Sequence, residues 1–232
     1  MSHFPTPGPP HARKAPGVRW AVVLPVKRLE RAKTRLRDAT GSPEDHQALA
    51  LALALDTARA ALACPGVVRL VVVTDDERAR LPLRELGAHV VPDLPGQGLN
   101  AALAFGADQA ATGTAGLAGT ATGVCGLSAD LPALRPEDLA DALAEAGRHR
   151  RSFVADATGT GTTLLAASPG TSLDPRFGPR SRWAHLASGA TELTGPWRSL
   201  RRDVDTAEDL AHARELGVGP ATEAALAGRW AR

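Results

Sequence analysis

Apolar positions along the chain alternate between a strand-like run and a helix-like spacing, and the repeated switching indicates an α/β architecture. Residues 20–26 are apolar almost throughout and carry Pro25 near the end, the pattern of a short parallel strand buried on both faces. A charged loop follows, and at 44–63 leucine and alanine recur at helical spacing. The run VVRLVVVT at 67–74 predicts a second strand. Asp75 and Asp76 then open a short helix toward Gly87, and His89–Val91 predicts a brief third strand. After a glycine loop, residues 98–111 predict another helix, and the Gly/Thr-rich stretch up to Thr122 predicts a mobile connection.

The second half continues the alternation. A helix is expected at 136–148, and strands at 152–156 and 162–167 face each other across a glycine turn as a hairpin. Residues 174–185 read as irregular. RRDVDTAEDLAHARELG then reads as a strand that ends in acids and enters a last helix. No internal repeat is visible. The proline-rich residues 1–17 predict a disordered leader, 18–217 one large domain, and 218–232 an alanine-rich helical tail.

Composition narrows the function. With 232 residues and 44% apolar content the chain can bury a sizeable core. A formal charge of +2 gives no global field, so neither nucleic acid nor a membrane is an expected partner. The first residues lack an apolar signal segment, and no apolar run approaches the ~20 residues of a membrane span, so a cytoplasmic enzyme is expected. Cys64 and Cys125 lack metal-ligand spacing and read as small buried hydrophobes.

Lysine usage points to the chemistry. Only Lys14, Lys27 and Lys33 occur, in a chain that otherwise uses arginine and lacks Tyr and Ile. Lys27 and Lys33, with Arg35, follow the first strand. A compact ammonium suits a crowded triphosphate in a way a planar guanidinium does not. The bland alternative is a solvated helix face. No GxxxxGK[ST] or complete GxGxxG loop exists, so side chains must hold any phosphates.

Two acidic groups sit where open α/β sheets bind ligands, beyond the carboxyl ends of strands. Asp130 in SADLP follows a buried strand and is placed to hold Mg²⁺, or else to pair locally within the turn. In DVDT, strand alternation puts Asp203 and Asp205 on one face; Asp205 also reads as part of a helix cap, whereas Asp203 does not. Gly159-Thr160-Gly161-Thr162 allows either close ligand approach or a plain hairpin turn. Phe177-Gly178-Pro179-Arg180-Ser181 offers a tight turn, a hydroxyl and open helix N–H groups to an anion. His185 reads as structural rather than as a base.

These segments, PVKRLERAKTRL, GLN, SADLPAL, GTGT, FGPRS and DVDTAEDL, together resemble the guanylyltransferases of coenzyme F-420 biosynthesis over about residues 20–216. The resemblance implies a three-layer nucleotidyltransferase fold, Rossmann-like and GT-A-like, with a mixed, mainly parallel central sheet. It implies GMP transfer from GTP to phosphoenolpyruvate in actinobacterial-type members, or to 2-phospho-L-lactate in archaeal ones, with Mg²⁺ as cofactor. It also admits a homodimer and passage of the product to the next enzyme of the pathway. Carried over, Asp130 and Asp203 match the metal-binding and catalytic acids, with Lys27 and Lys33 as catalytic cations. Pro25, Lys27, Lys33, Arg35, Gly98 and Asn100 match nucleotide-binding positions, and Thr162, Gly178 and Ser181 match acceptor-binding positions. Thr163 and Ala207 depart from the pattern, where relatives carry Asn and Pro. Rival readings are a molybdopterin guanylyltransferase or cytidylyltransferase, which would normally carry a glycine-rich loop after the first strand, and a non-catalytic nucleotide-binding domain.

Overall fold

The computed structural model describes residues 18–30, 36, 40–114 and 122–230. The expected leader 1–17, the predicted mobile stretch at 115–121, and both Lys33 and Arg35 lie outside these residues.

Strand β1 (Arg19–Pro25) is central, as its two-sided apolar pattern requires. Trp20, Val22 and Leu24 point to one face and Ala21 and Val23 to the other, all buried. β1 pairs in parallel with β2 (Val67–Val73) on one side and β4 (Thr122–Leu127) on the other, and β2 pairs in parallel with β3 (His89–Val91). β6 (Thr162–Ala167) joins β4 antiparallel, β5 (Arg151–Ala155) joins β6 antiparallel, and the two-residue β7 (Thr191–Glu192) closes the edge parallel to β5. The resulting order is β3-β2-β1-β4-β6-β5-β7. The chain leaves β1 toward β2 and β3, then returns to β4 on the opposite side. That reversal makes the carboxyl ends of β1 and β4 the switch point at which open sheets bind ligands.

Helices cover both faces. α1 (Pro43–Ala63), α2 (Glu77–Glu85) and α4 (Pro136–Ala146) pack on the Trp20 face; α3 (Leu99–Thr114) packs on the Val23 face. α1 starts where its sequence signals it: Ser42 Oγ accepts from Asp45 N at 3.1 Å and Pro43 occupies the first turn. Gly106 lets α3 approach the sheet, because a Cβ there would come within 2.3 Å of Val23 Cγ1. Cys64 and Cys125 are free and buried in the Trp20-side core, and burial, then Glu137, pushes the Cys64 thiol up to about 12.

Two sequence expectations change. The strand expected through RRDVDT does not form: α6 (Arg198–Arg201) ends there, and residues 202–204 are irregular. A single apolar residue, Val204, supplies too little for a strand; it buries in a third cluster with Leu49, Leu53 and Leu210, and its N–H donates to Asp130 O at 3.1 Å. The segment expected to be irregular at 174–185 enters α5 (Ser181–Ala187). Beyond α7 (Ala207–Leu216), the alanine-rich end is helical as expected, α8 (Pro220–Trp230), and its contact, which the sequence left open, is with α1. Asp56 of α1, only 4% exposed, accepts from Ala221 N at 3.0 Å and Thr222 N at 2.7 Å, so a carboxylate 165 residues upstream satisfies the first turn of α8.

Candidate active site

A cleft opens at the switch point, lined by Pro25, Lys27 and Leu29 after β1, by Leu127, Ser128 and Asp130 after β4, and by Leu99, Phe177 and Asp205. Each wall is fixed by hydrogen bonds with few alternatives. Val26 N continues the ladder to Val73 O at 2.9 Å, and Leu29 N donates to the Asp76 carboxylate at 2.7 Å. Asp76 thus both caps α2 and ties down the loop that presents the exposed Lys27. The capping half of that role was readable in the sequence; the bond to Leu29, 47 positions away, had no local signal.

The Asp130 loop is held from four sides. Ser128 N donates to Thr163 O at 2.8 Å, Leu131 N to the buried Thr57 Oγ1 at 2.9 Å, Val204 N to Asp130 O, and Gly219 N to Pro132 O at 2.9 Å. Pinning Val204 to Asp130 brings the DVD segment beside the Asp130 loop. Asp205 lines it together with Asp130, whereas half-buried Asp203 is not among its lining residues. The helix cap belongs to Thr206, which exchanges side-chain and backbone bonds with Asp209.

These acids suit a hard divalent cation of the Mg²⁺ kind. Among the described residues no three acids, histidines or cysteines gather as a self-sufficient metal cage. A pair of carboxylates facing a cleft leaves the remaining coordination to water and phosphate oxygens, which is how Mg²⁺ is commonly held.

The second group of expected residues is brought together beside Phe177. Thr162 and Ser181 are both buried, and a β-bulge between Val154 and Ala155 sets the start of β6 out of simple register. Thr162 Oγ1 lies 2.9 Å from Nδ1 of His185, one helical turn beyond Ser181 on α5. The loop between them is strained: Asp174 and Arg180 have φ of 45° and 60°, and Gly178 has φ of 137°, which favours glycine. The strain is held by Arg151, which bonds Asp174 through O and Oδ2, and by Asn100.

Asn100, expected on the nucleotide, clasps this loop. Its Oδ1 accepts from Phe177 N at 2.7 Å and its Nδ2 donates to Phe177 O at 3.0 Å, joining the start of α3 to the Phe177–Ser181 loop. Gly98 just precedes α3 at φ of 94° and its carbonyl accepts from Ala102 N.

Two expected sets of open N–H groups are already engaged. At the start of α5, Ser181 N, Arg182 N and Trp183 N donate to Gly178 O, Thr160 O and Arg180 O. In the glycine turn, Thr160 N and Gly161 N donate to the Asp156 carboxylate at 2.9 and 2.8 Å, and Gly159 N to Asp156 O. The turn is therefore stapled by Asp156, and any ligand must be met by side chains or by remaining groups. An Asp ahead of Thr-Gly-Thr-Gly is itself a turn signal, which the sequence reading passed over.

The fold is that of nucleotidyltransferases. A Desulfovibrio desulfuricans protein provisionally assigned as a nucleotide-diphospho-sugar transferase superposes with a TM-score of 0.63 at 17% identity, over 92% of this chain and 96% of its own. A 4-diphosphocytidyl-2C-methyl-D-erythritol synthase superposes at 0.55 with 16% identity, over 86% of this chain and 99% of its own. In sequence, the chain is 55% identical to the phosphoenolpyruvate guanylyltransferase of Salinispora arenicola, over 88% of this chain and 91% of that protein. It is 53% identical to the enzyme of the same name from Geodermatophilus obscurus, over 90% and 94%. With residues 20–214 also matching the model of CofC-like guanylyl transferases, the chain belongs to that family.

Proposed function

We propose that this guanylyltransferase moves GMP from GTP to phosphoenolpyruvate, giving enolpyruvyl-diphospho-5'-guanosine and pyrophosphate, in the assembly of coenzyme F-420. The observation that carries the reading is the cleft at the switch point, with Lys27 on one wall and Asp130 on the other, in a chain so similar to named phosphoenolpyruvate guanylyltransferases.

The reaction forms a bond from an acceptor phosphate oxygen to the α-phosphorus and breaks the bond from that phosphorus to the β-bridging oxygen. The electron pair leaves with pyrophosphate. A phosphate with a second pKa near ~6 is already an anion at neutral pH, so no protein base is needed. The protein must instead align two anions and offset their repulsion. Lys27 on the cleft wall neutralises charge that develops on pyrophosphate, a role we extend to Lys33 and Arg35, which follow it in the sequence. Pro25, Gly98 and Asn100 shape the nucleotide side, Asn100 through its clasp on Phe177. Thr162, Gly178 and Ser181 receive the acceptor. Asp130 and Asp203 would hold Mg²⁺, which when bound would supply positive charge that offsets the repulsion of the two phosphate groups.

The test is pyrophosphate release with GTP, ATP and CTP, each paired with phosphoenolpyruvate and with 2-phospho-L-lactate in the presence of Mg²⁺. Release with GTP and phosphoenolpyruvate well above every other pair is expected. Preference for 2-phospho-L-lactate replaces the acceptor, and silence with both removes the reading.

A further inference from the structure

His185 is fully buried, yet both ring nitrogens are bonded, and the bonds fix the position of its proton. Arg176 N lies 3.0 Å from Nε2. A backbone N–H can only donate, so Nε2 carries the lone pair and the neutral ring carries its proton on Nδ1. Nδ1–H then donates to Thr162 Oγ1 at 2.9 Å. The hydroxyl, having accepted there, keeps its own hydrogen for another oxygen, and among the described residues His185 is its one hydrogen-bond partner. The rings of Phe153 and Phe177 hold the imidazole, with centroids 5.6 and 5.2 Å away, and Phe177 also lines the cleft.

We propose that His185 is a positioning residue for the acceptor: it forces Thr162 to be a hydrogen-bond donor toward an oxygen of the anionic substrate rather than toward the protein. The inference rests on the assignment of Thr162 to the acceptor pocket. It gives α5 a function that its engaged N–H groups do not supply. A donor suits a phosphate or carboxylate oxygen, which is acceptor-only when ionised, whereas a hydroxyl whose hydrogen pointed at the ring would meet that oxygen lone pair to lone pair.

The first experiment is ¹⁵N NMR of the imidazole at neutral pH. A ring protonated on Nδ1 is expected, and one protonated on Nε2 overturns the proposal. The second is steady-state kinetics of His185→Phe, His185→Asn and Thr162→Val, each substrate varied at saturating concentrations of the other. His185→Phe should raise KM for phosphoenolpyruvate about tenfold with KM for GTP unchanged. His185→Asn, whose amide N–H can replace Nδ1–H, should recover most of that loss. Thr162→Val should match His185→Phe, and the double variant should lose no more than either. If His185→Phe does not fold, Thr162→Val and His185→Asn still decide: an unchanged acceptor KM in Thr162→Val, or an equal rise in both KM values, overturns the proposal. No turnover by the wild type removes the functional reading and this inference with it. Turnover by the wild type with an unaffected acceptor KM in the variants removes this inference alone.

Discussion

Asp203 and Asp205 flank one buried residue, yet their surroundings differ. Val204 is sealed in the core and bonded to Asp130 O, so both neighbours are anchored beside the Asp130 loop, though only Asp205 lines the cleft. Asp205 is exposed on the cleft wall beside a capped helix, whereas Asp203 is half-buried. A half-buried carboxylate is less screened by solvent than an exposed one and attracts a cation more strongly, so Asp203 is the expected partner of Asp130. Asp130→Asn and Asp203→Asn should each lower kcat more than a hundredfold, about 3 kcal/mol, while Asp205→Asn lowers it about tenfold. Rates at several Mg²⁺ concentrations check this, and an inactive Asp205→Asn beside an active Asp203→Asn moves the metal to Asp205. Lys27 and Asp130 were legible because both end apolar runs. The exposure of Asp205 on the cleft was not, because it depends on where Val204 is buried, and nothing within DVDT encodes that.

Among the elements, α8 shows what a tertiary contact adds to a local reading that already gave a helix. Its alanines carry little amphipathic signal, and its first turn lacks a capping side chain of its own; Asp56 supplies one from α1. Gly219 is needed there, since a Cβ would come within 2.4 Å of Asp56 Cγ. Asp56→Ala removes a buried carboxylate from two N–H donors and from Arg59, 2.7 Å away. It should cost about 3 kcal/mol and lower Tm by roughly 10 °C, with Asp56→Asn recovering only part. Thermal melts decide, and an unchanged Tm in Asp56→Ala would mean that this cap contributes nothing to stability. Strands β1, β2, β3 and β6 and helices α1 and α4 were readable because period and end signals agreed. The failures were at RRDVDT, where alternation rested on one valine, and at α5, a short helix entered through a left-handed arginine with no capping side chain.

For the molecule as a whole, the buried imidazole makes stability depend on pH. Burial, then Arg151 and Arg176, opposed by Asp174, lowers the His185 pKa from 6.5 to about 4. Between those values the unfolded chain takes up a proton that the folded chain refuses. The contribution is therefore complete above pH 6.5 and falls as pH drops toward 4, by about 3 kcal/mol. Denaturant titrations at pH 7 and 4.5 should show a larger loss in the wild type than in His185→Phe; equal losses would exclude His185 as the cause. The sheet itself has a further consequence. β4 faces a parallel neighbour, β1, on one edge and an antiparallel one, β6, on the other. The parallel half carries Lys27 and the loop beyond β1, while the hairpin and α5 carry Thr162 and Ser181. Under the proposed assignment of acceptor and nucleotide residues, selection can remodel residues 156–185 for a new acceptor while the loop beyond β1 is kept, so that members of one lineage can diverge in what they guanylylate before they diverge in what they use as donor.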